Sequence, residues 1–121
     1  MRKTIIAEGE HYHIYNRGNA TQDIFRGDSD RVRFLTGLLF YQYPLSLPQI
    51  GRIARHYVKH RVFDTSSLAL RDPYAGLVCF TFMPNHFHCI VQERKEGGIA
   101  RYMQRLLNGC TKYMNTKYTL H

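Results

Sequence analysis

The sequence predicts an α+β fold, a ferredoxin-like antiparallel sheet with helices on one face. Three observations lead to it. Candidate elements run strand, helix, helix, strand, strand, helix along the chain. Two strand-like apolar runs flank Pro84-Asn85 and read as a hairpin. Apolar residues recur at helical spacing in three further segments. A length of 121 residues fits one domain, large enough to bury a core without disulfide or metal staples. The split βαβ template requires one more strand, expected from beyond His121 or from a terminal segment.

Residues 10–16, Glu-His-Tyr-His-Ile-Tyr-Asn, alternate loosely and are rich in aromatic and β-branched types, which predicts a strand. Arg17-Gly18-Asn19 supplies turn chemistry after it. Asp28-Ser29-Asp30 offers a helix N-cap, and Val32, Phe34, Leu35, Leu38 and Leu39 carry a helix to about Tyr43, where Pro44 stops it. Gly37 weakens that helix slightly. A second helix is predicted from Ser46 to Phe63, with Pro48 in its first turn. Ile50, Ile53, Ala54, Tyr57 and Val58 make its apolar stripe, and Arg52, Arg55, Lys59 and Arg61 its other face. Residues 64–74 read as a loop, Ala75 to Met83 and His86 to Gln92 as strands, and Glu96-Gly97-Gly98 as a turn. The last helix runs from about Ile99 to Tyr118, with Ile99, Met103, Leu106, Leu107, Cys110 and Met114 on its apolar face. The first strand is expected beside the His86–Gln92 strand, in the centre of the sheet.

The hydrophobic fraction of 44% fits a globular protein, and no apolar run approaches the ~18 residues of a membrane span. Met1-Arg2-Lys3 is basic, but only Ile5-Ile6-Ala7 follows, too short for a signal peptide. The expectation is a cytoplasmic protein with no membrane partner. Cys79, Cys89 and Cys110 are odd in number and lack Cys-x-x-Cys spacing, which predicts reduced, buried thiols. Seventeen Lys and Arg against nine Asp and Glu give a formal charge of +8. Such an excess attracts polyanions, of which nucleic acid is the commonest.

His86-Phe87-His88 is the most informative triplet. On a strand, residues two apart share a face, so the two imidazoles project side by side while Phe87 turns to the packed side. Two imidazoles on a rigid strand can chelate a divalent cation, which can polarise a phosphate oxygen. The same spacing also describes two inert histidines on a half-exposed strand. His11-Tyr12-His13 repeats it on the first strand, so the spacing alone does not decide.

The context adds to it. The run Phe80-Thr81-Phe82-Met83-Pro84-Asn85-His86-Phe87-His88-Cys89-Ile90-Val91 resembles the signature of the HUH single-tyrosine transposases, above all the repeat-associated (RAYT) branch. The resemblance extends to Tyr12-His13-Ile14-Tyr15-Asn16-Arg17-Gly18, to Ile24-Phe25, to Tyr102-Met103-Gln104 and to residues 113–118, and is weakest over residues 44–74. It implies an enzyme that binds single-stranded DNA folded as a hairpin. A tyrosine hydroxyl attacks a phosphodiester to give a 5′-phosphotyrosine and a free 3′-hydroxyl. By the same resemblance His86 and His88 hold Mg²⁺ or Mn²⁺ over the scissile phosphate. Ligand softness alone favours zinc or nickel.

In that family the nucleophilic tyrosine lies on a later helix, with Gln or Asn four residues on completing the metal site. No helical tyrosine here has that partner: Leu106 follows Tyr102, and Lys117 follows Tyr113. Tyr12 with Asn16 and Tyr15 with Asn19 match, but they begin on a strand, where four residues span ~13 Å. The nucleophile is therefore expected to be missing, and the chain to be the N-terminal part of such an enzyme.

Arg101, Arg105 and Lys112 follow one another at four- and seven-residue steps, as a solvated helix face or a track for a DNA backbone. Arg94 and Lys95, beside the metal strand, and Asn16 and Arg17, at a strand end, are the other candidate DNA contacts. The nine tyrosines and seven phenylalanines include candidate stacking platforms for unpaired bases. Three functions compete: an HUH transposase domain, a non-catalytic binder of single-stranded or hairpin DNA, and an unrelated metallohydrolase. The last ranks lowest, because no Asp or Glu lies between Phe80 and Gln92 to serve as a third ligand. A second copy of the chain is a further candidate partner.

Overall fold

The computed structural model describes residues 7–17, 26–68, 71–83 and 86–118, and of residues 16, 17 and 118 the backbone alone. The element order is β1 (His11–Arg17), α1 (Asp28–Phe40), α2 (Leu47–His60), β2 (Ala75–Met83), β3 (His86–Glu93) and α3 (Gly98–Tyr118). A single turn of 3₁₀ helix, Ser66–Leu68, interrupts the loop before β2. The sheet is antiparallel with order β1-β3-β2, so the fold is α+β as predicted. β1 does pair with β3, but among the described strands β3 is central and β1 an edge, which corrects the central placement expected of β1. The turns at Gly18-Asn19 and Pro84-Asn85, and the segment Ile24-Phe25, lie outside the described residues.

Alternation decides which face of the sheet is covered. Phe87, Cys89 and Val91 of β3 turn inward and are buried. Their register partners on β1 are Asn16, Ile14 and Tyr12, and on β2 Phe82, Phe80 and Leu77. Phe34 of α1 seals this face, with ring centroids 4.9 Å from Phe87 and 5.4 Å from Phe82. Ile99, Tyr102 and Leu106 of α3 join the same core, and Ile50 and Ile53 of α2 extend it beyond α1. Tyr102 was absent from the predicted core, yet it is fully buried and its hydroxyl donates to the Leu38 carbonyl. That bond satisfies the one polar atom that argues against burying a tyrosine.

Several boundaries differ from the sequence reading. The N-cap of α1 is Gly27, not Asp28, and no side chain caps it. Asp30 is instead buried in the first turn, accepting from the Arg26 amide (3.0 Å), the Tyr113 hydroxyl (3.1 Å) and Lys117 Nζ (2.9 Å). The start of α1 is thereby tied to the end of α3. α1 stops at Phe40, three residues early, and the freed Gln42 carbonyl and side chain accept from the amides of Tyr74 and Leu77. Those bonds bring β2 alongside. α2 begins as expected, with Ser46 and Gln49 forming a capping box. It ends at His60 rather than Phe63, because Arg61 takes a left-handed conformation at φ 60°. Val58 lies outside the buried stripe, exposed to solvent.

Gly37 does more than weaken a helix. A Cβ there would meet the Leu106 side chain at 3.1 Å, and one at Gly109 would meet the Tyr41 hydroxyl at 2.5 Å. The two glycines thus let α1 and α3 approach closely. Glu93, also buried, ends β3 and caps α3: its carboxylate accepts from the Gly97 amide (3.1 Å) and the Ile99 amide (2.7 Å). A carboxylate at a helix N-terminus is favoured by the orphan amides and the helix dipole.

Among the described residues no helix is long and apolar enough to cross a membrane. The cysteines are unbridged, but only Cys89 is buried: Cys79 is exposed and Cys110 half-buried, against the expectation that all three are buried. Cys79 lies on the open face of β2 beside the bulge between Leu77 and Cys79. Burial pushes the Cys89 thiol up to about 11. Since the thiolate is the reactive form, iodoacetamide at pH 8 is expected to modify Cys79 in the folded protein and to spare Cys89 until denaturant is added. Equal labelling of both in the native state would contradict this packing.

Candidate metal centre and nucleic-acid interface

The face of the sheet that none of the described helices covers carries the side chains that alternate with the core. His86 and His88 of β3 stand side by side on it, with ring centroids 4.9 Å apart and planes nearly perpendicular at 79°. The buried Phe87 between them anchors the strand. This is the arrangement that the His-x-His spacing predicts for a half-covered strand.

β1 brings a third imidazole. Antiparallel pairing sets Tyr15 opposite His88 and His13 opposite Ile90, so His13 lies diagonal to His88. His13 Nε2 and His88 Nδ1 are 3.0 Å apart, a hydrogen-bond distance. Tyr15 stacks on His88 at 5.7 Å and 26°, and is 62% exposed. A shallow depression of about 400 Å³ beside this cluster is lined by His13, His88, Cys79, Phe80, Thr81 and Ile90, among others. Sequence reasoning treated His11-Tyr12-His13 only as a sign that the spacing is common. The available signal was that two His-x-His strands, paired antiparallel, bring imidazoles together.

The donor set bears on which ion it would take. Among the described residues no group of three His, Cys, Asp or Glu side chains is arranged to hold one ion. Two imidazoles alone suit zinc or nickel better than magnesium or manganese. Mg²⁺ or Mn²⁺ fits this pair only if water and phosphate oxygens fill most positions, as a bound phosphodiester would allow.

The candidate DNA contacts scatter. Arg17 is in register with His86 and Asn16 with Phe87; their side chains lie outside the described residues. Arg94 and Lys95 follow the other end of β3, six and seven residues beyond His88 and so roughly 20 Å away. Lys95 lies over the Tyr74 ring at 5.7 Å. Arg101 and Lys112 are exposed on α3 and border a groove of about 340 Å³. Arg105 borders it too, but its guanidinium donates to the Tyr43 carbonyl (2.8 Å) and the Leu45 carbonyl and sits over Tyr41 at 5.0 Å. It braces the loop between α1 and α2.

Most described tyrosines near the core are engaged in packing. Burial raises the Tyr102 phenol far above its ordinary range. Burial also raises Tyr41, against the opposing pull of Arg33 and Arg105. Tyr113 donates to Asp30, and the Tyr12 hydroxyl accepts from the Ala7 amide at 2.9 Å. The side chain of Tyr118 lies outside the described residues. No protein-family model matches this chain, and no curated protein or solved structure is significantly similar to it.

Proposed function

We propose that this chain is a DNA transposase domain of the HUH class, a cytoplasmic protein that handles single-stranded or hairpin DNA. The observation that carries the reading is the pair His86 and His88, side by side on the uncovered sheet face. These two imidazoles would hold the Mg²⁺ or Mn²⁺ of such an enzyme. Polarisation of a scissile phosphate oxygen is the chemistry such an ion supplies when bound. The protein's own contribution is to fix the two imidazoles on a rigid strand and to collect a polyanion with a +8 chain. In the full reaction a tyrosine hydroxyl attacks the phosphorus, the bond to the 3′-oxygen breaks, and a 5′-phosphotyrosine remains for rejoining. No described helix offers a tyrosine with Asn or Gln four residues on, so cleavage by this chain alone is not expected.

The second reading, a non-catalytic binder of single-stranded DNA, is favoured by the tyrosines held in packing contacts and by the exposure of Tyr15. An aromatic ring on an open sheet face can stack an unpaired base. Tyr15→Ala is expected to weaken single-stranded DNA binding roughly 5- to 150-fold, the equivalent of about 1–3 kcal/mol for one stacked base. Tyr15→Phe should bind as the wild type does, measured by fluorescence anisotropy. Equal affinity for all three proteins would remove Tyr15 from the interface.

The ion reading is tested by manganese titration of the wild type and of His88→Ala. Weak binding by the wild type and none by the variant are expected, because two protein ligands leave most positions to water. Identical titrations would sink the assignment.

A further inference from the structure

We propose that His13 is a positioning residue for His88, holding its ring in the tautomer that presents an unprotonated Nε2 to a metal ion. The inference rests on the reading of His86 and His88 as ion ligands. It begins from the 3.0 Å separation of His13 Nε2 and His88 Nδ1. Two ring nitrogens at that distance need one proton between them, so one ring donates and the other accepts. If His13 donates, neutral His88 keeps its own proton on Nε2. Its Nδ1 lone pair is then spent on His13, and neither nitrogen can ligate. If His88 donates, Nδ1 carries the proton and Nε2 carries the lone pair. Only the second arrangement is compatible with a ligand role for His88.

A metal-binding histidine usually gives its other N–H to a fixed acceptor, which sets the tautomer and the ring orientation. Here that acceptor comes from the neighbouring strand. β1 also controls the plane of the ring: His13 lies nearly parallel to His88, at 16°, and Tyr15 stacks at 26°. His88 thereby meets two alternate residues of one strand, whose own rings lie 6.1 Å apart. Cross-strand pairing fixes all three positions, since β1 and β3 are in register from His11 to Arg17.

The experiment reads ring-nitrogen tautomers in the metal-free full chain by long-range proton–nitrogen NMR, and manganese affinity by titration. His88 is expected to carry its proton on Nδ1. His13→Phe keeps a ring in place and removes the acceptor, so it should weaken manganese binding roughly 10- to 100-fold. His13→Asn offers a carbonyl acceptor and should recover part of that loss. An Nε2–H tautomer for His88 in the wild type would overturn the proposal. So would undiminished manganese affinity in both His13 variants while His88→Ala loses it. Should His88→Ala bind manganese as the wild type does, the ligand reading fails, and the tautomer still decides whether His13 sets the ring.

Discussion

Affinity for a single-stranded DNA hairpin is expected to fall roughly 300-fold between 50 and 200 mM salt. That figure follows from about six phosphate contacts and a slope of about −0.7 per phosphate for single strands. The exposed cations available for such contacts are Arg52, Arg55, Lys59 and Arg61 at α2, and Arg94, Lys95, Arg101 and Lys112 around α3. None of them belongs to the ion pairs Arg31–Asp28 and Lys117–Asp30 found among the described residues. Each of these cations that neutralises a phosphate releases counterions condensed on the DNA, and added salt opposes that release. Strand scission should stay absent under the same conditions in manganese, because a pair of imidazoles, even with an ion bound, supplies no attacking group when no nucleophile is placed. Anisotropy over a salt series and a gel assay for covalent adducts check the two halves separately. A flat salt profile would remove the phosphate-contact account. An adduct mapped to any of the nine tyrosines would show that the chain carries its own nucleophile.

The second large effect concerns the fold that holds the site. Tyr102→Ala is expected to destabilise the protein by about 4 kcal/mol, in the range measured for removing large buried aromatics. Tyr102 has no exposed surface, and it belongs to the core that backs the inner face of β3. Its hydroxyl also satisfies the Leu38 carbonyl, joining α3 to α1. Tyr102→Phe keeps the packing and loses that bond, so it should cost only about 1 kcal/mol. Urea unfolding of the three proteins separates packing from hydrogen bonding. Equal losses for Phe and Ala would mean that the hydroxyl, not the ring, carries the stability.

The order of elements, the start of α2 at Ser46 and the adjacency of strands β2 and β3 were legible because each rests on local signals: period, a first-turn proline and breakers. The side-by-side placement of His86 and His88 was legible for the same reason, since alternation is a property of one strand. The early end of α1 was not, because Gln42 leaves the helix to bond residues more than thirty positions away. Nor was the structural duty of Arg105, whose spacing on α3 is that of a surface cation but whose guanidinium meets two carbonyls of the α1–α2 loop.

By itself, then, the sequence determined the α+β class, the extent of most elements and the face on which the histidine pair stands, because short-range periodicity encodes them. Tertiary structure alone decided that His13 meets His88 across β1 and β3, that Tyr102 fills the core and that Asp30 ties the start of α1 to the end of α3. Those contacts link residues far apart in the chain. Strand register and helix packing select them, and no local pattern records either.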